Sequence, residues 1–228
     1  LGMPWRWSVA EYSELLKTGG GRERLLHFLE HQDLRKPVGE LRKLAADLHQ
    51  RKTYHYQQIV SQGELPLRSG IRRLLGAARE AGVRLAIATT SAASAVRALL
   101  VHTLGSESLG WFDCIAAGEM VSHKKPAPDV YRYVLDCLAI EARQAIAIED
   151  SQPGLRAALG ANLAVVVTHS EFTHQHDFSS AAAVLDQLGD PGVACRQFSG
   201  CVDLQPMVTL ENLEHLLSVT CGSPAHES

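Results

Sequence analysis

The stretch AIAIEDSQPG, residues 145–154, decides how this chain is read. A run of small and branched apolar residues, Ala145 to Ile148, stops at two adjacent acids, Glu149 and Asp150. Ser151, Pro153 and Gly154 follow. A short apolar run bounded by turn residues reads as a strand buried on both faces. Ser, Asp and an early Pro read as the start of a helix. Two carboxylates at the end of a buried strand repel each other unless a cation or a cap relieves them. Hard oxygen ligands suit Mg²⁺, which takes one or two carboxylates together with substrate phosphate and water.

The same pattern extends outward. RLAIATT (84–90), FDCIAAGE (112–119) and NLAVVVT (162–168) are strand-like. They alternate with the helical runs SAASAVRALLVHTL (91–104), PDVYRYVLDCLAI (128–140) and GLRAALGA (154–161). That alternation predicts an α/β fold with a parallel sheet and crossover helices over residues 66–220. Residues 1–65 contain no convincing strand and predict a separate helical domain. WSVAEYSELLKT (7–18) offers a capping box, Ser8 with Glu11. TGGGRERLLHFLEH (18–31) is a Gly-rich loop entering a helix, and residues 37–63 form a long helical run ended by Gly63. Residues 189–207 read as loop, TLENLEHLL (209–217) as a closing helix, and 221–228 as a disordered tail.

Composition narrows the function classes. Of 228 residues, 46% are hydrophobic and 21% charged, ordinary for a globular protein, and the formal net charge is -3. No global basic field attracts nucleic acid or an anionic membrane, and no apolar run approaches a membrane span. The five cysteines lack CxxC spacing, which suits a reducing compartment. The expected location is the cytoplasm, or a plastid stroma if a transit peptide precedes the chain, and the expected state is a monomer.

In such folds ligands bind at the carboxyl ends of the strands. Thr89, Thr90 and Ser91 form a hydroxyl-rich turn before a helix, where free N–H groups attract phosphate, though the same residues serve as ordinary caps. In SHKKPAPDVY (122–131) two prolines stiffen the loop that presents Lys125, while Lys124 reads as a solvated lysine. Glu149 and Asp150 complete a series of phosphate turn, lysine and acid pair on successive strands. His169, His174 and His176 lack acidic or cysteine partners at a metal-binding spacing. Trp5 and Trp7 read as packing, and Arg68, Arg72 and Arg73 as ordinary surface charges.

This series resembles the haloacid dehalogenase superfamily of phosphohydrolases: AIATTS (86–91) is similar to its second motif, KKPAPDVY (124–131) to its third and IEDSQPGLRAA (148–158) to its fourth. The helical residues 1–65 resemble the family's small cap. KTGGGRERL (17–25) and RKTYHY (51–56) are most similar to the CbbY-like group of sugar-bisphosphate phosphatases and to β-phosphoglucomutase. The resemblance implies a Rossmann-like core and a Mg²⁺-dependent phosphatase of a small phosphorylated sugar, with an aspartyl-phosphate intermediate. It assigns Thr89 and the backbone of Thr90 to the transferring phosphate, and Lys125 to bridging that phosphate and the nucleophile. Asp150 and Glu149 would bind the metal. Arg22, beside Thr18 and the loop glycines, would hold a second phosphate, and Lys52 would face the sugar.

One part of the pattern is not found. The family's DxDGT motif, which carries the nucleophile and the acid/base Asp, does not occur, and no D-x-D is present. The family's first strand lies centrally, between those starting near Arg84 and Gln144, so two strand edges would lack partners without it. The expectation is an N-terminally incomplete copy of an enzyme. A sugar phosphomutase, an inactive truncated binding protein and a dehalogenase, which has no need of the acid pair, are the alternatives.

Overall fold

The computed structural model describes residues 5–62 and 65–222. Three helices come first: α1 (Val9–Leu16), α2 (Gly21–Glu30) and α3 (Val38–Ser61). Ser8 and Glu11 form the capping box that starts α1. α2 and α3 close a small core on Leu29, Leu41 and Ala45, and Trp5 and Trp7 pack edge-on against Phe28. Gly63 lies outside the described residues.

The rest is layered α/β. After α4 (Ile71–Glu80) come β1 (Ala86–Ala88), α5 (Ala93–Leu104), β2 (Cys114–Ala116), α6 (Asp129–Leu138) and β3 (Ile146–Glu149). Then follow α7 (Gln152–Leu159), β4 (Ala164–Thr168), β5 (Ala183–Leu185), β6 (Gln197–Gly200) and α8 (Leu210–Gly222). Alternate strand residues face opposite layers. Ala86, Ala88, Ala116, Ala147, Val165 and Val167 pack with α6 and α7. Ile87 and Ile115 turn to α5, and Val166, Ala183 and Leu185 join Leu74 of α4 and Leu216 of α8.

The strands form two sheets. β1 and β2 pair in parallel, and β3, β4 and β5 pair in parallel with β6 antiparallel at the far edge. β1 and β3 do not pair. An apolar cleft of about 660 Å³ runs between them, lined by residues 84–88 and 144–148 and covered by side chains of α4, α6 and α8. This matches the expectation of two strand edges without partners.

Some readings need correction. β5 and β6 were not foreseen, and β6 lies inside the stretch expected to be loop. Both are short: β5 is the Ala-Val-Leu of a Ser/Ala-rich run and β6 is a polar edge, so neither shows a strand pattern in sequence. α8 continues to Gly222, two residues into the expected tail, and 223–228 lie outside the described residues. The three arginines are not ordinary surface charges. Arg68 donates to the carbonyls of Thr168 (2.7 Å), His169 (2.8 Å) and Asp186, Arg72 to that of Thr103, and Arg73 to those of Leu188, Gly189 and Val208. They tie α4 and the residues just before it to the chain that follows β4, β5 and β6 and to the end of α5.

Candidate active site

The carboxyl ends of β1 and β3 open at the same place, and Lys125 connects them. The loop 122–128 leads into α6 and swings the lysine over the sheet. Its ammonium donates to the carbonyl of Ala88, at the end of β1 (2.9 Å), and to Glu149 Oε1, at the end of β3. Both side chains are nearly enclosed, with 11% and 7% of their surface exposed, so each charge depends on the other. Tyr131, one turn into α6, also donates its hydroxyl to Glu149 Oε1. Burial, with the charge of Glu149 second, pushes the phenol well above its ordinary range. Nothing in the sequence reading assigned Tyr131 a part, although it closes the KKPAPDVY run. Its partner Glu149 lies 18 positions along the chain, so no local signal marked it.

The acid pair splits in two. Glu149 turns inward, and its Oε2 lies 1.8 Å from where a Cβ on Gly154 would stand. Only glycine lets α7 begin this close to the carboxylate, which also benefits from the helix dipole. Ser151, not Asp150, caps α7, accepting from the N–H of Gly154 at 3.3 Å. Asp150 is therefore left exposed, with no side-chain partner among the described residues. No group of three or more metal-binding side chains occurs among the described residues. The donors that are present fit Mg²⁺: one free carboxylate beside a second, already paired carboxylate is an oxygen set needing only phosphate and water to complete it.

Thr89 and Thr90 follow β1 directly. Thr89 Oγ1 accepts from the N–H of Ser91 at 3.0 Å, which forms the expected hydroxyl turn. α5 starts later, at Ala93, and its first N–H is taken by Glu119 at 3.0 Å. Gly118 packs against the backbone of Thr90, where a Cβ would stand 2.3 Å from the carbonyl oxygen.

The cap glycines meet this same place. A Cβ on Gly19 would stand 1.7 Å from the carbonyl oxygen of Lys125, so the two loops are in backbone contact. Lys124, read as a solvated lysine, bridges to Glu23 of α2 at 3.0 Å. Burial would raise the pKa of Glu23, but this lysine holds it below its usual range. His49 of α3 was missed. Its Nε2 lies 2.8 Å, and the Lys52 Nζ 3.7 Å, from where a Cβ on Gly21 would stand. Burial first, then the charges of Lys52 and Lys124, lower the His49 pKa. Burial and Arg24 lower that of Lys52. Arg22 is exposed beside this group, and Thr18 is held by its carbonyl, which accepts from Arg24 at 3.3 Å. The structure thus brings Thr18, Arg22 and Lys52 to the cap side of the Lys125 loop, and Thr89, Thr90, Glu149 and Asp150 to its core side. The histidines 169, 174 and 176 belong to neither group: His176 is buried and bonds the carbonyl of Ser13 at 3.0 Å.

A parallel sheet bearing a hydroxyl turn, a lysine and an acid pair on successive strand ends, under a small helical cap, defines a phosphate-handling α/β hydrolase. Residues 3–162 match the haloacid dehalogenase-like hydrolase family, and the chain belongs to it. Within that family the chain is CbbY-like. It is 42% identical over 193 residues to Protein CbbY of Cereibacter sphaeroides, covering 84% of this chain and 82% of that one. It is 44% identical over 192 residues to the plasmid CbbY of Cupriavidus necator, covering 84% and 76%. Its fold matches the crystal structure of a Rhodobacter sphaeroides CbbY mutant in complex with xylulose-(1,5)bisphosphate, with a TM-score of 0.72 at 40% identity over 84% and 85% of the two chains. The class of enzyme is a phosphoric monoester hydrolase.

Proposed function

We propose that this chain forms the cap and most of the core of a Mg²⁺-dependent phosphatase acting on a small phosphorylated sugar, a bisphosphate. The observation that carries the reading is Lys125, pinned between the ends of β1 and β3 with Asp150 free beside it. The xylulose bisphosphate bound by the related CbbY supports the substrate class.

The roles follow from the chemistry. Thr89 and the backbone N–H of Thr90 hold the transferring phosphate. The Lys125 ammonium neutralises charge that grows on that group in the transition state. Asp150 and Glu149 would hold the metal, and Glu149 also fixes the Lys125 ammonium. Bound there, Mg²⁺ supplies further charge neutralisation at the phosphoryl oxygens. The attacking carboxylate, which would form the aspartyl-phosphate, is not among the described residues. In the cap, Arg22, Lys52 and the loop around Thr18 receive the second phosphate, since flexible glycines let amides approach an anion and Arg grips phosphate bidentately. His49, lying beside Lys52, faces the same ligand.

The test uses the full-length protein as its gene encodes it. Phosphate release from xylulose-1,5-bisphosphate is measured with and without Mg²⁺. Activity is expected only with the metal, and Asp150→Ala is expected to abolish it. Activity unchanged in Asp150→Ala would overturn the metal assignment. Isomerised sugar phosphate as the main product would overturn hydrolysis.

A further inference from the structure

A second cavity lies at the carboxyl ends of β4 and β5, the side of an open α/β sheet on which ligands bind. Its volume is about 980 Å³, and it shares no wall residue with the Lys125 site. β4 ends at Thr168 and β5 at Leu185, and the next residue of each, His169 and Asp186, stands in the wall. The loop 169–178 closes one side, and β6 supplies Phe198. His176, near the end of that loop, is only 6% exposed and lines the cavity. Its Nε2 bonds the Ser13 carbonyl of α1 at 3.0 Å. A carbonyl only accepts, so the ring proton is on Nε2. Nδ1 is left as an enclosed lone pair without a partner among the described residues. Buried acceptors normally have one. The nearby donors are already engaged: Arg68 gives its N–H groups to the carbonyls of Thr168, His169 and Asp186, and His174 Nδ1 meets the carbonyl of Glu171 at 2.7 Å. The Glu171 carboxylate stands exposed at the rim with no partner among the described residues. Both open acceptors call for a ligand that donates. No group of three metal-binding side chains occurs among the described residues, so the histidines do not assemble as a metal site.

Phe198 sets the shape of the ligand. It sits on the polar edge strand β6, yet its ring lies 4.8 Å from that of His169 and 5.0 Å from the Arg196 guanidinium. Held by these neighbours and still 49% exposed, it offers a face to a second flat ring. We propose that this cavity binds a small, flat heteroaromatic ring carrying amino groups, of the aminopurine kind, with a ring face on Phe198 and an N–H donated to His176 Nδ1. The site stands apart from the function proposed above. It is nonetheless connected to the cap, because the loop 169–178 braces α1: besides His176 on Ser13, Phe172 stands edge-on to Tyr12 at 5.4 Å. A ligand seated on His176 steadies that loop and, through it, α1.

The probe is adenosine, titrated calorimetrically into the full-length protein. A one-to-one isotherm with a Kd of about 0.1 mM is expected, ordinary for a ligand of this size. The Tm is expected to rise with adenosine concentration. In nitrogen NMR spectra of the histidine-labelled protein, the His176 Nδ1 signal is expected to move upfield as its lone pair takes a hydrogen bond. Purine riboside, which lacks the amino group, is expected to bind about tenfold more weakly, since it leaves that acceptor unpaired. Phe198→Ser, at an exposed edge position, is expected to weaken binding at least about tenfold and to leave the Tm of the free protein unchanged. Xylulose-1,5-bisphosphate without Mg²⁺ is expected not to displace adenosine. Displacement would put adenosine in the phosphate site and overturn the proposal. So would the lack of saturation at millimolar adenosine, equal binding of purine riboside, full binding by Phe198→Ser, or a His176 Nδ1 signal that does not move.

Discussion

β4 and β3 are neighbours in one parallel ladder and carry similar residues, yet they live in different surroundings. Val165, Val166 and Val167 of β4 have no exposed surface. β3, one strand away, keeps Ala147 and Glu149 buried but leaves Ile148 open, and β1 beyond the cleft is nowhere fully buried. The difference teaches that a buried-strand pattern states what a strand requires, and its neighbours decide whether it is met. β4 has a strand on each side. β3 and β1 each have one, and the two helical layers have only the cleft between them at that point.

The sharpest way to break this comparison is one substitution made in both places. Val166→Asp puts an unpaired carboxylate into closed core and is expected to cost more than about 4 kcal/mol, enough to unfold most of the population. Ile148→Asp is expected to cost less than about 1 kcal/mol, because the new carboxylate stays in water. Urea denaturation followed by circular dichroism measures both. Equal costs would mean that the cleft is closed in solution and that β1 and β3 are covered.

The second test concerns what holds the open side together. Lys125 spans the ends of β1 and β3, and its loss leaves Glu149 buried without a cation, held by the Tyr131 hydroxyl and a long bond from the Asp150 N–H at 3.4 Å. Lys125→Met is expected to cost about 3–5 kcal/mol, the usual penalty for orphaning a buried charge. Adding Glu149→Gln to that variant is expected to return part of the loss, since the orphaned charge is then gone. Tyr131→Phe removes the bond donated to Glu149 and the long one accepted from Lys125 at 3.4 Å, and is expected to cost about 1 kcal/mol. A double variant no more stable than Lys125→Met alone would show that packing, rather than the charge pair, sets the cost.

What the sequence made legible follows from which residues act locally. Strand β3, its acids and the helix behind them were readable because a four-residue apolar run, a capping Ser and an early Pro act within ten positions. The Lys125 loop was readable because two prolines, Pro126 and Pro128, follow the lysine closely. The cleft was legible only through the family resemblance, which placed a strand between β1 and β3; no local pattern reports a missing neighbour. Tyr131, His49 and the carbonyl-gripping arginines were missed for a different reason. Each acts across a long stretch of chain, so its neighbours reveal nothing: Arg68 meets residues about a hundred positions away, and His49 meets Gly21 across two helices. Lys124 was misread for the same reason, since Glu23 lies in another layer.

The cap–core seam offers a smaller contrast between two glycines that look alike in sequence. Gly19→Ala would drive a Cβ into the backbone carbonyl of Lys125, which cannot rotate away. The expected cost is about 1–3 kcal/mol, the range for overpacking, together with a looser cap. Gly39 in α3 has nothing within 4 Å of a Cβ, so Gly39→Ala is expected to be neutral or to stabilise by up to about 1 kcal/mol through helix propensity. Thermal denaturation of the two variants, with limited proteolysis of the seam, checks the contrast. A Gly19→Ala protein as stable as the parent would mean that the two loops are apart in solution.

The smallest effect belongs to His49 and carries a sign. Its folded pKa lies below the ordinary value of about 6.5, because of burial and the nearby Lys52, Lys124 and Arg22, with Glu23 opposing them. Between the folded pKa and about 6.5 the unfolded chain therefore binds more protons, and stability rises with pH. The contribution is complete above about pH 6.5 and is lost as the pH falls toward the folded pKa. His169 is shifted in the same direction and adds its own slope, so the parent's pH profile alone does not isolate His49. The difference between the parent and His49→Gln does. Across pH 5–8 the parent's Tm is expected to fall more steeply on acidification than the variant's. The gap should close once a sugar bisphosphate occupies the cap, since its phosphate offsets the same cations. Parallel profiles in the free proteins would place His49 in water, outside the lysine cluster.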